Sequence, residues 1–171
     1  MSGAALRRVL ADRGRGEAVR SGRRVHRTVD ALPAVVDPGA ADLARVEWAW
    51  LESYHAPDAV ALTLSDLVQL DEAALLAFRV RRHPATRVVT LAHAAAPLVD
   101  PAFATDVGAL MVVRPEAMVQ LHAVGPADAA AIEMADQMSP LGNLIAHLAE
   151  EHPEGGAAIA ALIAVGAFER V

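Results

Sequence analysis

Apolar positions are most regularly spaced between Asp42 and Asp58. At 100° per residue this run puts Leu43, Val46, Trp50, Leu51 and Tyr54 on one face and Asp42, Arg45, Glu52 and Ser53 on the other. The pattern predicts an amphipathic helix over about 42–55 with the first set turned to the core. Pro57 ends it, because the residue before a proline is pushed out of the α region and the ring cannot continue the helix. Glu47 falls inside the apolar arc, where a carboxylate is costly unless paired, so a buried arginine is its expected partner. Trp48 and His55 share a second edge, which either packs on a neighbouring element or receives a partner.

Before this helix, Leu6, Val9 and Leu10 offer a short amphipathic turn that Gly14, Gly16 and Gly22 interrupt. Residues 1–30 therefore read as an arginine-rich arm or weak helix. Pro33, Pro38 and Gly39 make a loop, with Asp37 or Asp42 as helix caps. After it, Ser65 and Asp71 are the expected N-caps of two short helices, over Leu67-Val68 and Ala73–Leu76. The period then changes. Phe78–Val80, Thr86–Leu91, Ala109–Val113 and Met118–Val124 alternate or are β-branched, and the last two flank Arg114-Pro115-Glu116-Ala117 as a hairpin. In 118–124, Val119, Leu121 and Ala123 point one way, and Met118, Gln120, His122 and Val124 the other, so one face is expected to be buried and the other partly wet. Three helices follow, at about 127–138, 141–151 and 157–165. Pro126 sits in the first turn, and Gly166 ends the last with Phe168 folding back. The predicted class is α+β, a helical segment over 31–80 followed at 81–171 by a winged-helix-like module of a small antiparallel sheet and three helices.

The 171 residues suffice for one domain, or one domain with an appendage, and its core. No window approaches the roughly 18 apolar residues of a membrane helix, and no apolar stretch follows the first arginines, so an unsecreted, cytoplasmic protein without a membrane partner is expected. The absence of cysteine removes disulfides, thiolate metal sites and cysteine nucleophiles. All fifteen basic residues are arginine, and eight of them lie in residues 1–30 against three acids, while residues 31–171 carry seven against eighteen. Such asymmetry suggests a basic arm on an acidic body.

Candidate chemistry is sparse. His147 and His152 are five apart, on different faces of a helix, and no His-Glu-x-x-His motif, phosphate loop or nucleophile elbow occurs. Neither a metal site nor a cofactor is expected, nor catalysis by this chain alone. Phosphate neutralisation dominates DNA affinity. Residues 85–171 hold three arginines against ten acids, and Ala157–Val165 has no basic or amide side chain. Nucleic acid is therefore not the expected partner.

Several segments taken together have a likeness elsewhere. Asp42-Leu-Ala-Arg-Val-Glu-Trp-Ala-Trp50, Tyr54-His-Ala-Pro-Asp-Ala59, Leu70-Asp-Glu-Ala-Ala-Leu75, Arg81-Arg-His-Pro84 and Ala164-Val-Gly-Ala-Phe168 resemble the HvfC/BufC-like family. That bacterial family was long labelled a DNA-binding-domain family and is related to the partner subunit of methanobactin biosynthesis. The likeness covers about residues 30–171. It implies a partner subunit of a TIM-barrel multinuclear-iron oxidase, with a C-terminal module similar to a peptide-recognition winged helix that takes up a leader peptide as an added strand. Longer members begin with an extended helical region, where this sequence has about thirty arginine-rich residues before Pro33.

A small sheet with one open edge is also a physical template for a peptide, because unpaired N–H and C=O groups accept an incoming strand. The candidate peptide contacts are Met118, Gln120 and His122 on strand 118–124, with Ala157, Ala161 and Ala164 as an apolar wall. The alternative is that residues 86–91 close this edge and the alanines pack the core. Trp48, Glu52 and His55 are the candidate partner contacts. The expectation is a non-catalytic subunit that binds a ribosomal precursor peptide and presents it to an iron oxidase modifying cysteine. A winged-helix DNA-binding regulator is the alternative, and a partner subunit without a peptide role is a third.

Overall fold

The computed structural model describes residues 38–170. The arm at 1–30, the loop at Pro33 and the cap role of Asp37 lie outside them. Helix α1 (Pro38–Tyr54) starts four residues earlier than expected and is rotated about its axis relative to the expected face. Asp42, Val46, Ala49 and Ser53 are buried, whereas Trp50, Leu51 and Tyr54 are exposed. Asp42 supplies the reason. Its carboxylate accepts the backbone N–H groups of Ala92 at 3.3 Å and His93 at 2.8 Å, pairs with Arg45, and meets His93 Nδ1 at 3.2 Å. Ala49 and Ser53 present little bulk on the same stripe. Glu47 is exposed rather than paired inside. The half-buried arginine near this helix, Arg114, instead donates to the α1 C-terminal region, to Ser53 O at 3.1 Å and Ala56 O at 2.8 Å. A cation there satisfies orphan carbonyls and complements the helix dipole.

Two short helices follow, α2 (Leu64–Leu67) and α3 (Glu72–Ala77). Thr63, not Ser65, caps α2: its N–H donates to Asp66 Oδ2 at 2.9 Å and its hydroxyl at 2.7 Å. Asp71 caps α3 as expected, accepting Ala74 N–H at 2.8 Å. Strands β1 (Arg79–Arg82), β2 (Arg87–Thr90), β3 (Ala109–Val113), β4 (Gln120–Ala123), β5 (Ser139–Pro140) and β6 (Phe168–Glu169) form two antiparallel sheets of three, ordered β5-β1-β6 and β2-β3-β4. A short helix α4 (Ala96–Val99) lies between β2 and β3, and α5 (Pro126–Met134), α6 (Leu141–Glu151) and α7 (Gly155–Ala164) close the chain.

β3 is buried at every position, because it is covered on both faces. Leu110 and Val112 join Val46 and Ala49 of α1 in one core cluster. Met111 and Val113 face the other way, into a larger core with Ile132, Leu144, Leu148, Ile163 and Phe168. Each fully buried aliphatic or aromatic side chain there contributes about 1.5–3 kcal/mol. The turn after α7 sets this core's last piece. Gly166 has φ +78°, and Gly166 N–H to Ile163 O at 2.9 Å with Ala167 N–H to Leu162 O at 3.1 Å makes a Schellman motif. It returns Phe168 to full burial in β6, as the sequence predicts.

Candidate functional site

The hairpin over Arg114–Val119 pairs β3 with β4 in the register Leu110↔Ala123, Met111↔His122, Val112↔Leu121 and Val113↔Gln120. Residues 87–90 pair with the opposite side of β3. They do not close β4, whose outer edge has no partner strand among the described residues. The ladder's phase tells which groups are free. Val124 N–H donates to Ala109 O at 3.2 Å. Hydrogen-bonded pairs alternate along an antiparallel ladder, so His122 and Gln120 also turn their main-chain groups to β3. Leu121 and Ala123 therefore turn theirs outward. The side chains alternate in the two sets the sequence predicts, with Val119 and Leu121 packed toward the α1 side and Val124 toward the helical core. Neither face is fully buried, however, as was expected of one of them: Leu121 and His122 are half-buried and Ala123 is exposed.

Beside this edge runs a groove of about 700 Å³ between β4 and α7. Met111, His122 and Val124 line one side, Ala157, Ala158, Ala161, Leu162 and Val165 the other, and Asp128, His152 and Glu154 also contribute. The structure thus brings together three of the six residues singled out in the sequence, His122, Ala157 and Ala161. It does not bring the others in. Met118 is 72% exposed on the turn, Gln120 is exposed on the strand, and Ala164 is exposed outside the groove lining.

His122 is half-buried and its Nε2 has no hydrogen-bond partner. Desolvation by burial pushes its pKa below the ordinary 6.5, which favours the neutral ring. His152 Nε2, also without a hydrogen bond, lies 3.5 Å from Asp128 Oδ1. Asp128 and Glu154 escape sequence reasoning because no local spacing links them. One opens α5 and the other precedes α7, and only the packing of the three closing helices joins them.

The partner trio divides. Trp48 Nε1 donates to Glu52 Oε1 at 2.9 Å, and Glu52 Oε2 takes Arg87 Nε at 3.0 Å. Two of the three are thus tied to β2 within this chain. His55 is exposed and meets Tyr54 edge-on at 5.0 Å. The freer aromatic surface is Trp50 stacked on Tyr54, centroids 5.5 Å apart and 5° from parallel, two residues that apolar counting assigns to the core.

Of the other histidines, His83 is structural. It accepts Ala85 N–H through Nδ1 at 3.1 Å, which leaves Nε2 to donate to Ala59 O at 3.1 Å. Among the described residues no three His, Asp or Glu side chains gather as a metal site, and no helix is long and apolar enough to cross a membrane. What the site defines is an open strand edge beside an apolar groove that Asp128 and Glu154 also line. Compared with protein-family models, curated proteins and solved structures, the chain matches none.

Proposed function

We propose that this protein is a non-catalytic recognition subunit that takes an extended segment of a ribosomally made precursor peptide onto β4 and presents it to a TIM-barrel multinuclear-iron oxidase acting on cysteine. One observation carries the peptide half of this reading: the outer edge of β4 is unpaired among the described residues and opens beside an apolar groove. Main-chain bonds would supply affinity and the groove would accept alternate side chains. In this reading residues 81–171 form a winged-helix-like recognition module, with the β3–β4 hairpin as its wing and α5, α6 and α7 as its helices. The resemblance of residues 42–59 and 164–168 supports the oxidase half. The exposed Trp50–Tyr54 stack is the surface offered to that partner, since aromatic anchors dominate interface energetics.

The test follows from the ladder's phase. Gln120→Pro would break the bond to β3 and damage the hairpin itself. Ala123→Pro removes an outward donor from an edge strand, where proline is tolerated. A fluorescein-labelled precursor from a gene neighbouring an iron oxidase is titrated by polarisation against wild type, Ala123→Pro, Gln120→Ala and Ala161→Arg, each checked for folding by circular dichroism. One lost hydrogen bond, about 0.5–1.5 kcal/mol, weakens binding about two- to thirteenfold in Ala123→Pro. Ala161→Arg obstructs the exposed wall and weakens it further, while Gln120→Ala changes little. Equal affinities across the folded variants would exclude strand addition.

A further inference from the structure

The groove's charge is one-sided. Asp128 and Glu154 line it, no arginine does, and His152, within ion-pair distance of Asp128, adds a positive charge only when protonated. Asp128 is held in place by a bond of its own, since Oδ2 accepts Gly125 N–H at 3.0 Å. Oδ1 remains turned toward His152, 3.5 Å from a ring nitrogen that makes no hydrogen bond. The Asp128 side chain is 20% exposed, sheltered enough for a charge-assisted bond to outweigh one at open surface.

The arginines of the body are engaged elsewhere. Arg81 pairs with Glu169, Arg82 with Asp136, Arg87 with Glu52, Arg114 with Asp58 and Arg170 with Asp66. Residues 38–170 carry seven arginines against seventeen acids, so the field around the groove attracts cations. His122 does not offset it near neutral pH, because burial keeps that ring uncharged.

We infer that the groove selects an extended peptide carrying one arginine or lysine beside small apolar residues. The cation meets Asp128 and Glu154, and the adjoining apolar side chain lies over Ala157 and Ala161. This rests on the strand-addition reading above and adds to it the class of peptide accepted. A guanidinium is the better fit of the two cations, because its planar set of donors matches the geometry of a carboxylate.

The probe is a phage-displayed library of random twelve-residue peptides, selected on the full chain at neutral pH and moderate salt. The expected result is enrichment of one basic position next to Ala, Val or Gly. For a synthetic peptide of the selected sequence, replacing arginine by its neutral isostere citrulline should weaken binding about tenfold to wild type. The loss should vanish in the double variant Asp128→Asn with Glu154→Gln. Asn keeps an oxygen for Gly125, so the α5 cap survives that substitution. Selected peptides that lose affinity in Ala123→Pro and Ala161→Arg yet show no basic position and no citrulline effect would overturn this inference and leave strand addition standing. Peptides indifferent to Ala123→Pro and Ala161→Arg, or no selected peptide at all, would overturn both. A synthetic peptide of residues 1–30 that outcompetes every selected sequence would give the groove to this chain's own arm and overturn the inference as stated.

Discussion

Replacing Asp42 by alanine tests the setting of α1 most directly. Asp42 is fully buried, and its loss strands the N–H groups of Ala92 and His93, accepted at 3.3 and 2.8 Å. Hydrogen bonds to a charged group contribute about 1.5–3 kcal/mol each, and the longer one belongs at or below the low end. The His93 side chain is 49% exposed, so its share is screened and adds little. Alanine returns roughly 0.5 kcal/mol as the better helix former. The expected cost is about 3 kcal/mol, a fall of about 6–12 °C in Tm for a chain of this size. Glu47→Ala on the exposed face of the same helix should stay within about 0.5 kcal/mol. Urea denaturation followed by circular dichroism at 222 nm measures both. If Asp42→Ala costs under about 1 kcal/mol, or Glu47→Ala costs more than it, the helix is turned the way its apolar count suggests and the latch to residues 92–93 is wrong.

Two further outcomes follow from the packing. A Cβ at Gly155 would lie 2.6 Å from Ile145 O and 2.9 Å from Ala149 N, whereas one at Gly156 meets nothing within 4 Å. Gly155→Ala should therefore destabilise by about 1–3 kcal/mol and Gly156→Ala should stabilise by about 0.5 kcal/mol, compared in the same urea assay; equal effects would contradict the close approach of α6 to α7. His122 makes stability depend on pH. Its folded pKa lies below the ordinary 6.5 because burial disfavours the charged ring, so the unfolded chain binds the extra proton first. Stability should then fall as pH drops through 6.5 toward the lower folded value and level off below it. Urea midpoints at pH 7.5 and 5.5 should drop more for wild type than for His122→Gln, and equal drops would show that the ring is not desolvated.

Local features were legible in the sequence because their causes are local. Asp71 caps α3 three residues from the N–H it accepts, Arg114–Ala117 turns between two strands, and Gly166 takes a positive φ that returns Phe168 to the core. Alternation likewise grouped Val119 with Leu121, and the tertiary structure put that group on the α1 side. Several polar residues of the segments that carry the family resemblance have jobs of this structural kind: Asp42 latches residues 92–93, Asp71 is a cap, and His83 ties Ala59 to the end of β1.

What one dimension could not decide was each element's partner. Helix α1 carries two stripes that share Val46, one with more apolar area and one through Asp42, Ala49 and Ser53; only the donors waiting at Ala92 and His93 and the close face of β2 and β3 select the second. Whether β4 is an edge depends on which side of β3 takes residues 87–90, and its free donors depend on the ladder's phase, neither of which is a property of residues 118–124 alone. Asp128 and Glu154 meet His122 at one groove because three helices pack together. The sequence specified local conformation through capping, turn chemistry and period, while burial and pairing are relations between distant segments, set by the total of contacts the whole fold satisfies at once.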